Sequence, residues 1–427
     1  MKLSALQQYG VVTTNYWAFT LTDGALRMLV LFHFHSLGYS ALEIAFLFLF
    51  YEFFGIITNL YGGWIGAQYG LRLTLWVGTL LQIIALVMLI PVMGSWPKVF
   101  GVTYVMFAQA ISGVAKDLNK MSAKSAIKTV IPETSENESQ ENESQSQRQL
   151  FKWVAVLTGS KNALKGVGFF LGGFCLMNVG FNKSVGLMAI GLGLSFLLTL
   201  ILPSDIGRVK SKPILKDLFA KSEGINILSA ARFFLFGARD VWFVVALPVF
   251  LETSLGWNFW RIGSFLGLWL IGYGIVQGLA PGIRKLWGKT SNPGPSTVRF
   301  WSATLTAIPS LIAIALFRGS NPALAIIAGL IAFGVVFAIN SSVHSYMVLA
   351  YADEGKISLD VGFYYMANAA GRLAGTLLSG TLFMIGENPN QGMQLSLWCS
   401  TLFVFSAWLI SQRLPSLNNS IAVPEKL

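Results

Sequence analysis

Apolar residues in this 427-residue chain run in stretches of about 20, divided by short polar or Gly- and Pro-containing breaks. A stretch of that length matches the hydrocarbon thickness of a bilayer when helical. Cutting the chain at its breaks predicts twelve membrane-spanning helices, over 12–35, 42–66, 72–93, 98–119, 151–178, 184–203, 226–251, 259–282, 299–317, 323–349, 359–385 and 395–413. The basic segment SDIGRVKSKPILKDLFAKSEG, Ser204–Gly224, separates two sets of six. The domain reading is therefore an N-terminal half, 1–203, a cytoplasmic linker, 204–224, a C-terminal half, 225–413, and a cytoplasmic tail, 414–427.

The pattern is broken most informatively at Asn15–Ser40, NYWAFTLTDGALRMLVLFHFHSLGYS, where an otherwise apolar span carries Asp23 and Arg27. A charge at mid-membrane costs about 3 kcal/mol on insertion scales, so such residues require a water-lined cavity or protein partners. We read this span as one wall of a transport path.

Composition agrees with a membrane protein. Hydrophobic residues make up 54% of the chain and charged residues 11%, against about a quarter charged in soluble domains. The net charge of +11 would suggest nucleic acid if it formed a surface patch, but its distribution follows topology instead. With the N-terminus inside and the spans alternating, most basic residues fall on one side, and only Lys98, Lys183 and Arg318 lie in loops on the other. That asymmetry places both termini in the cytoplasm and leaves no nucleic-acid role. The first apolar run is too long and too charged for a cleaved signal peptide. Cys175 and Cys399 lie in apolar runs without metal or redox spacing and are expected to be packing residues. The segment Glu133–Gln147 contains ENESQ twice in tandem and no apolar residue, which predicts a disordered cytoplasmic loop over 132–148.

The two halves resemble each other. SLGYSALEIAFLFLFYEFFGI, Ser36–Ile56, aligns without a gap on SLGWNFWRIGSFLGLWLIGYG, Ser254–Gly274, and a single-residue gap upstream brings Asp23 over Asp240. Two parallel six-helix halves resemble the major facilitator superfamily, which implies a substrate site near the bilayer midplane between them. GWIGAQYGLR, Gly63–Arg72, resembles that superfamily's G-x-x-x-D-x-x-G-x-R loop without its Asp. GFFLGG, Gly168–Gly173, resembles the G-P-x-x-G-G motif of its antiporters with Phe169 in place of Pro.

The charges inside spans are the candidate chemistry. Asp23 and Arg27 are four apart and share a helix face. GARDVWFVVALPVF places Arg239 and Asp240 in span seven, with Arg232 two turns earlier. An arginine from span one and another from span seven would clamp a phosphate-like oxyanion, because guanidinium donates in a matching fork. Lys161 and Lys165 lie one turn apart in TGSKNALKGVGFF, beside Ser160 and Asn162, and Arg372 lies among small residues in YYMANAAGRLAGTLLSG. Each has an alternative structural reading, snorkelling for Lys161 and an interhelical tether for Arg372. The candidate substrate-binding set is Arg27, Arg239, Lys165, Arg372 and Lys161. Lys116, Lys120, Lys124 and Lys128 form a ridge at the cytoplasmic end of span four, either a solvated face or an electrostatic funnel, with Asp117 and Asn119 placed to pair or cap it.

Glu52 has no basic residue within one turn, so it is either protonated or paired across helices. With Asp23 and Asp240 it forms the candidate proton-coupling set. His33 and His35 point in different directions, and His344, in INSSVHSYM, reads as a satisfied polar residue. No spacing suggests a metal site, a cofactor or a nucleophile with its base, so a membrane-embedded enzyme is the weaker alternative.

NYWAFTLTDGALRMLVLFHFHSLGYS, KDLNKMSAKSAIK, TGSKNALKGVGFFLGG and LSAARFFLFGARDVWFVVALPVFL together resemble the ArsJ organoarsenical efflux permeases. The resemblance implies a bacterial inner-membrane antiporter that exports 1-arseno-3-phosphoglycerate, made by a partner glyceraldehyde-3-phosphate dehydrogenase from arsenate and glyceraldehyde 3-phosphate. The ester would decompose outside, giving arsenate resistance. The charges are compatible with this substrate, and with other organic phosphate anions.

Overall fold

The computed structural model describes residues 3–69, 71–126, 140–203, 221–286, 293–352 and 357–416. They form helices α1 (Ala5–Ser36), α2 (Ala41–Leu47), α3 (Leu49–Tyr69), α4 (Leu71–Leu89), α5 (Lys98–Ala126), α6 (Gln140–Asn178) and α7 (Phe181–Thr199). The second half supplies α8 (Glu223–Phe243), α9 (Ala246–Thr253), α10 (Phe259–Leu286), α11 (Pro295–Phe317), α12 (Pro322–Tyr351), α13 (Ile357–Ile385) and α14 (Pro389–Ser411). Taking α2 with α3 and α8 with α9 as broken spans recovers the twelve spans expected from the apolar pattern.

The break in span seven has a chemical cause. Pro248 has no N–H, and its ring would meet the carbonyl four residues back, at Val244, so the helix opens there. The amides of Val245 and Ala246 donate instead to Ser379 Oγ on α13, at 3.3 and 3.0 Å. A side chain thus replaces backbone partners where lipid offers none.

Among the described residues, nine helices are long and apolar enough to cross a membrane. Spans one, five and eleven, formed by α1, α6 and α13, fall outside that set. They are the spans holding Asp23 and Arg27, Lys161 and Lys165, and Arg372. Their low apolarity is the cost of carrying charge inward. Helix α6 also corrects the loop expectation, since it begins at Gln140 and contains the second ENESQ copy. Gln and Glu are good helix formers, and carboxylates suit a helix N-terminus. Positions 127–139, with Lys128, lie outside the described residues.

The chain divides into two compact units whose membership departs from the sequence halves. One comprises Met1–Gly38, Tyr61–Pro213 and Asn258–Gly278, the other Tyr39–Leu60, Ile214–Trp257 and Leu279–Leu427. The segments grouped against sequence order overlap closely with the two that the internal repeat aligns. Small residues explain both groupings. In the first unit, a Cβ on Gly267 of α10 would lie 2.6 Å from the Gly166 carbonyl of α6. In the second, a Cβ on Gly380 of α13 would lie 2.7 Å from the Ala41 carbonyl of α2. The first unit is also tied by a buried polar network. Asn15 donates to Thr79 Oγ1 at 2.8 Å and to Asn119 Oδ1 at 3.3 Å, and accepts from Ser195 Oγ at 3.1 Å, joining α1, α4, α5 and α7.

Candidate functional site

The intramembrane charges gather into one cluster in each unit. In the first, α1 and α6 approach closely because Gly24 faces the Lys165 carbonyl, where a Cβ would sit at 2.7 Å. That approach brings Lys165 Nζ to 3.3 Å from Asp23 Oδ2. Arg27, one turn further along α1, is buried, and half-buried Lys161 lies one turn before Lys165. Ser160 and Asn162 serve packing: Ser160 Oγ accepts from Trp17 Nε1 at 3.0 Å, and Asn162 Nδ2 donates to Gln277 Oε1 at 2.7 Å.

In the second unit, α8 and α13 cross at Gly371 and Gly375, where the carbonyls of Phe233 and Gly237 leave no room for a Cβ. Fully buried Asp240 is consequently bridged by two arginines. Arg239 Nε donates to its Oδ1 at 2.6 Å, and Arg372 Nε to its Oδ2 at 3.0 Å. Arg372 Nη2 reaches Glu52 Oε1 at 2.5 Å. Glu52 is therefore paired across helices, which selects between the two readings its sequence position allowed.

The two clusters repeat one arrangement. A carboxylate from the first helix of each half is bonded to a cation from the fifth, Asp23 to Lys165 on α1 and α6, and Asp240 to Arg372 on α8 and α13. The internal repeat aligned the two acids. It could not place the cations, because their pairing depends on helix packing.

Arg232 is the residue that sequence reasoning undervalued. It is 3% exposed, donates from Nε to Asn368 Oδ1 at 3.0 Å and from Nη1 to Ser341 Oγ at 3.2 Å. Its guanidinium lies 3.8 Å from the Phe236 ring centroid, with Arg239 at 4.9 Å from the same ring. The seven-residue spacing of Arg232 and Arg239 was the available signal. His344 requires a correction: it is fully buried, and neither ring nitrogen has a hydrogen-bond partner among the described residues. It sits on α12 one turn from Ser341, within a neighbourhood occupied by Arg232 rather than by satisfying hydroxyls.

The other candidates have local roles. Lys120 Nζ lies 2.6 Å and Lys116 Nζ 3.7 Å from carboxylate oxygens of buried Asp117, while the side chain of Lys124 is outside the described set. His33 stacks on Phe181 with centroids 4.2 Å apart. Cys175 and Cys399 are free thiols. Among the described residues no group of His, Cys, Asp or Glu is arranged to hold a metal ion.

Twelve spans with charged pairs set inside them define a multi-pass membrane transport protein. The family model described as Major Facilitator Superfamily matches residues 12–376. The chain belongs to that superfamily. It is similar in fold to the nucleoside transporter NupG, at 14% identity and a TM-score of 0.65, covering 95% of this chain and 99% of that one. It is likewise similar to a bacterial homologue of the human drug peptide transporters PepT1 and PepT2, at 13% identity and a TM-score of 0.67, covering 96% and 97%. No curated protein sequence matches the chain significantly.

Proposed function

We propose that this transporter exports a small, multiply acidic organic anion, 1-arseno-3-phosphoglycerate, from the bacterial cytoplasm across the inner membrane, with both termini cytoplasmic. The observation that carries the anionic reading is the make-up of the intramembrane charges. Arg27, Arg232, Arg239, Arg372, Lys161 and Lys165 outnumber Asp23, Asp240 and Glu52. A cationic interior of this kind suits phosphate-type groups and repels cations. The particular substrate, and a partner glyceraldehyde-3-phosphate dehydrogenase that makes it, rest on the resemblance of the four quoted stretches to organoarsenical permeases.

In this reading Arg27 and Arg239 grip the anion, and Lys165, Lys161 and Arg372 add charge. The coupling carboxylates are Asp23, Asp240 and Glu52, with a proton moving counter to the anion. Asp23, paired with Lys165 at 3.3 Å, is the carboxylate to test first.

The test is arsenate resistance in a sensitive bacterial host expressing the chain with and without the dehydrogenase. Resistance that needs both proteins and is lost with Arg27→Ala supports the reading. Correctly inserted protein that confers none in either background removes this substrate.

A further inference from the structure

A buried arginine without a carboxylate is costly unless something supplies the negative charge. Arg232 is in that position. Its two hydrogen bonds, to Asn368 and Ser341, run to neutral acceptors, and no salt bridge to it occurs among the described residues. Phe236 covers one side of the guanidinium at 3.8 Å and the Tyr364 ring lies 5.0 Å from it. Those rings offset part of the cost. They also leave the guanidinium edge as the route for further hydrogen bonds.

Helices α12 and α13 bring polar side chains to Arg232. Ser341 and His344 are three apart on α12, and Tyr364 and Asn368 four apart on α13, so each pair presents one helix face. Both pairs converge on Arg232 of α8: Ser341 and Asn368 by hydrogen bond, Tyr364 by its ring, and His344 by its place one turn from Ser341. His344 is 0% exposed, and both its ring nitrogens lack a hydrogen-bond partner. Asn340, one turn before His344, spends its amide on Ser302 Oγ at 3.2 Å and leaves its carbonyl oxygen without a partner. Buried polar groups are normally satisfied. Here a buried positive edge and two unpartnered ring nitrogens flank Ser341, which is bonded to the first and one turn from the second.

We infer that Arg232, His344, Ser341 and Asn368 form an oxyanion subsite in the second unit, taking a tetrahedral phosphate- or arsenate-type group. Arg232 supplies the charge and a fork of N–H donors. His344 gives one donor, and its second nitrogen accepts from a hydroxyl or a protonated oxygen of the same group. Ser341 and Asn368 hold the guanidinium in the plane that aims it. The subsite borders the quartet of Arg239, Asp240, Arg372 and Glu52 across the Phe236 ring, which lies 3.8 Å from the Arg232 guanidinium and 4.9 Å from that of Arg239. The inference rests on the anion-transport reading above and extends it by naming where the group is selected.

The experiment uses the full-length protein in nanodiscs of neutral phosphatidylcholine, so that lipid cannot provide the ligand. Inorganic phosphate, arsenate and, for contrast, chloride are titrated by calorimetry. Phosphate and arsenate should bind and chloride should not. Arg232→Gln should weaken phosphate binding at least tenfold, and His344→Phe should do so with the fold intact, since it removes only unpartnered nitrogens. Ser341→Ala, the mildest change, should weaken binding severalfold. Unaltered phosphate affinity in His344→Phe and Ser341→Ala overturns the inference, even if Arg232→Gln fails to fold. Phosphate binding that needs these residues in a protein conferring no arsenate resistance would keep the subsite and remove the substrate assignment. Resistance with no loss of binding in the variants would do the reverse.

Discussion

Glu52 and Arg372 join span two to span eleven within one unit, and their pairing makes a quantitative prediction. Arg372 Nη2 is 2.5 Å from Glu52 Oε1, and the Glu52 side chain is fully buried. With charge centres about 4 Å apart and an effective dielectric near 20, the gross attraction is about 4 kcal/mol. Breaking a buried pair from one side costs about 3–5 kcal/mol, because the other charge is left behind. Glu52→Gln leaves Arg372 its bond to Asp240 at 3.0 Å, so its cost should lie near the lower value, about 3 kcal/mol. Arg372→Gln takes the arginine from two carboxylates and should cost about 5 kcal/mol. The double variant removes both charges and should cost no more than Arg372→Gln alone, giving a coupling of about 3 kcal/mol. Equilibrium unfolding in bicelles measures all four corners of this cycle. Single costs that add to the double within about 0.5 kcal/mol would refute the reasoning, since independent sites behave that way.

Three further outcomes follow from neighbouring geometry. Ser379→Ala strips the acceptor from the Val245 and Ala246 amides and should destabilise by about 1–3 kcal/mol; the loss should shrink in a Pro248→Ala background, where the helix can close, as thermal melts in detergent would read. Gly24→Val drives a side chain into the Lys165 carbonyl and should cost about 1–3 kcal/mol through overpacking, while reducing transport by parting Lys165 from Asp23. Asp23→Asn should leave anion binding in place but make uptake into inverted vesicles insensitive to an imposed proton gradient, whereas uptake that still follows the gradient would shift coupling to another carboxylate.

Much of the architecture was legible because the bilayer imposes a single length on every span. The twelve expected stretches coincide with the helices to within four residues except at the starts of α1, α6 and α14 and the end of α5, and the largest departure is at α6, where Gln140 to Leu150 is polar yet helical. Polarity does not separate loop from helix in that run, because Glu and Gln are good helix formers as well as hydrophilic. The charged residues were also legible one by one, since each interrupts an apolar run. Their partners were not. Lys165 with Asp23 and Arg372 with Glu52 depend on glycines that let particular helices touch, and nothing in a linear pattern ranks those contacts. His344 shows the same limit in reverse: four hydroxyls and an amide crowd its stretch of sequence, yet its nitrogens meet none of them.

The central claim is that the chain moves an arsenylated organic anion outward. Its most direct measurement is arsenic accumulation in inverted membrane vesicles given arsenate, glyceraldehyde 3-phosphate, NAD and the dehydrogenase, which generate the unstable ester at the cytoplasmic face. The account predicts accumulation that needs the transporter and every component, and that falls at least tenfold with Arg239→Gln. Equal arsenic uptake by vesicles lacking the transporter, or by transporter vesicles lacking the dehydrogenase, would contradict it.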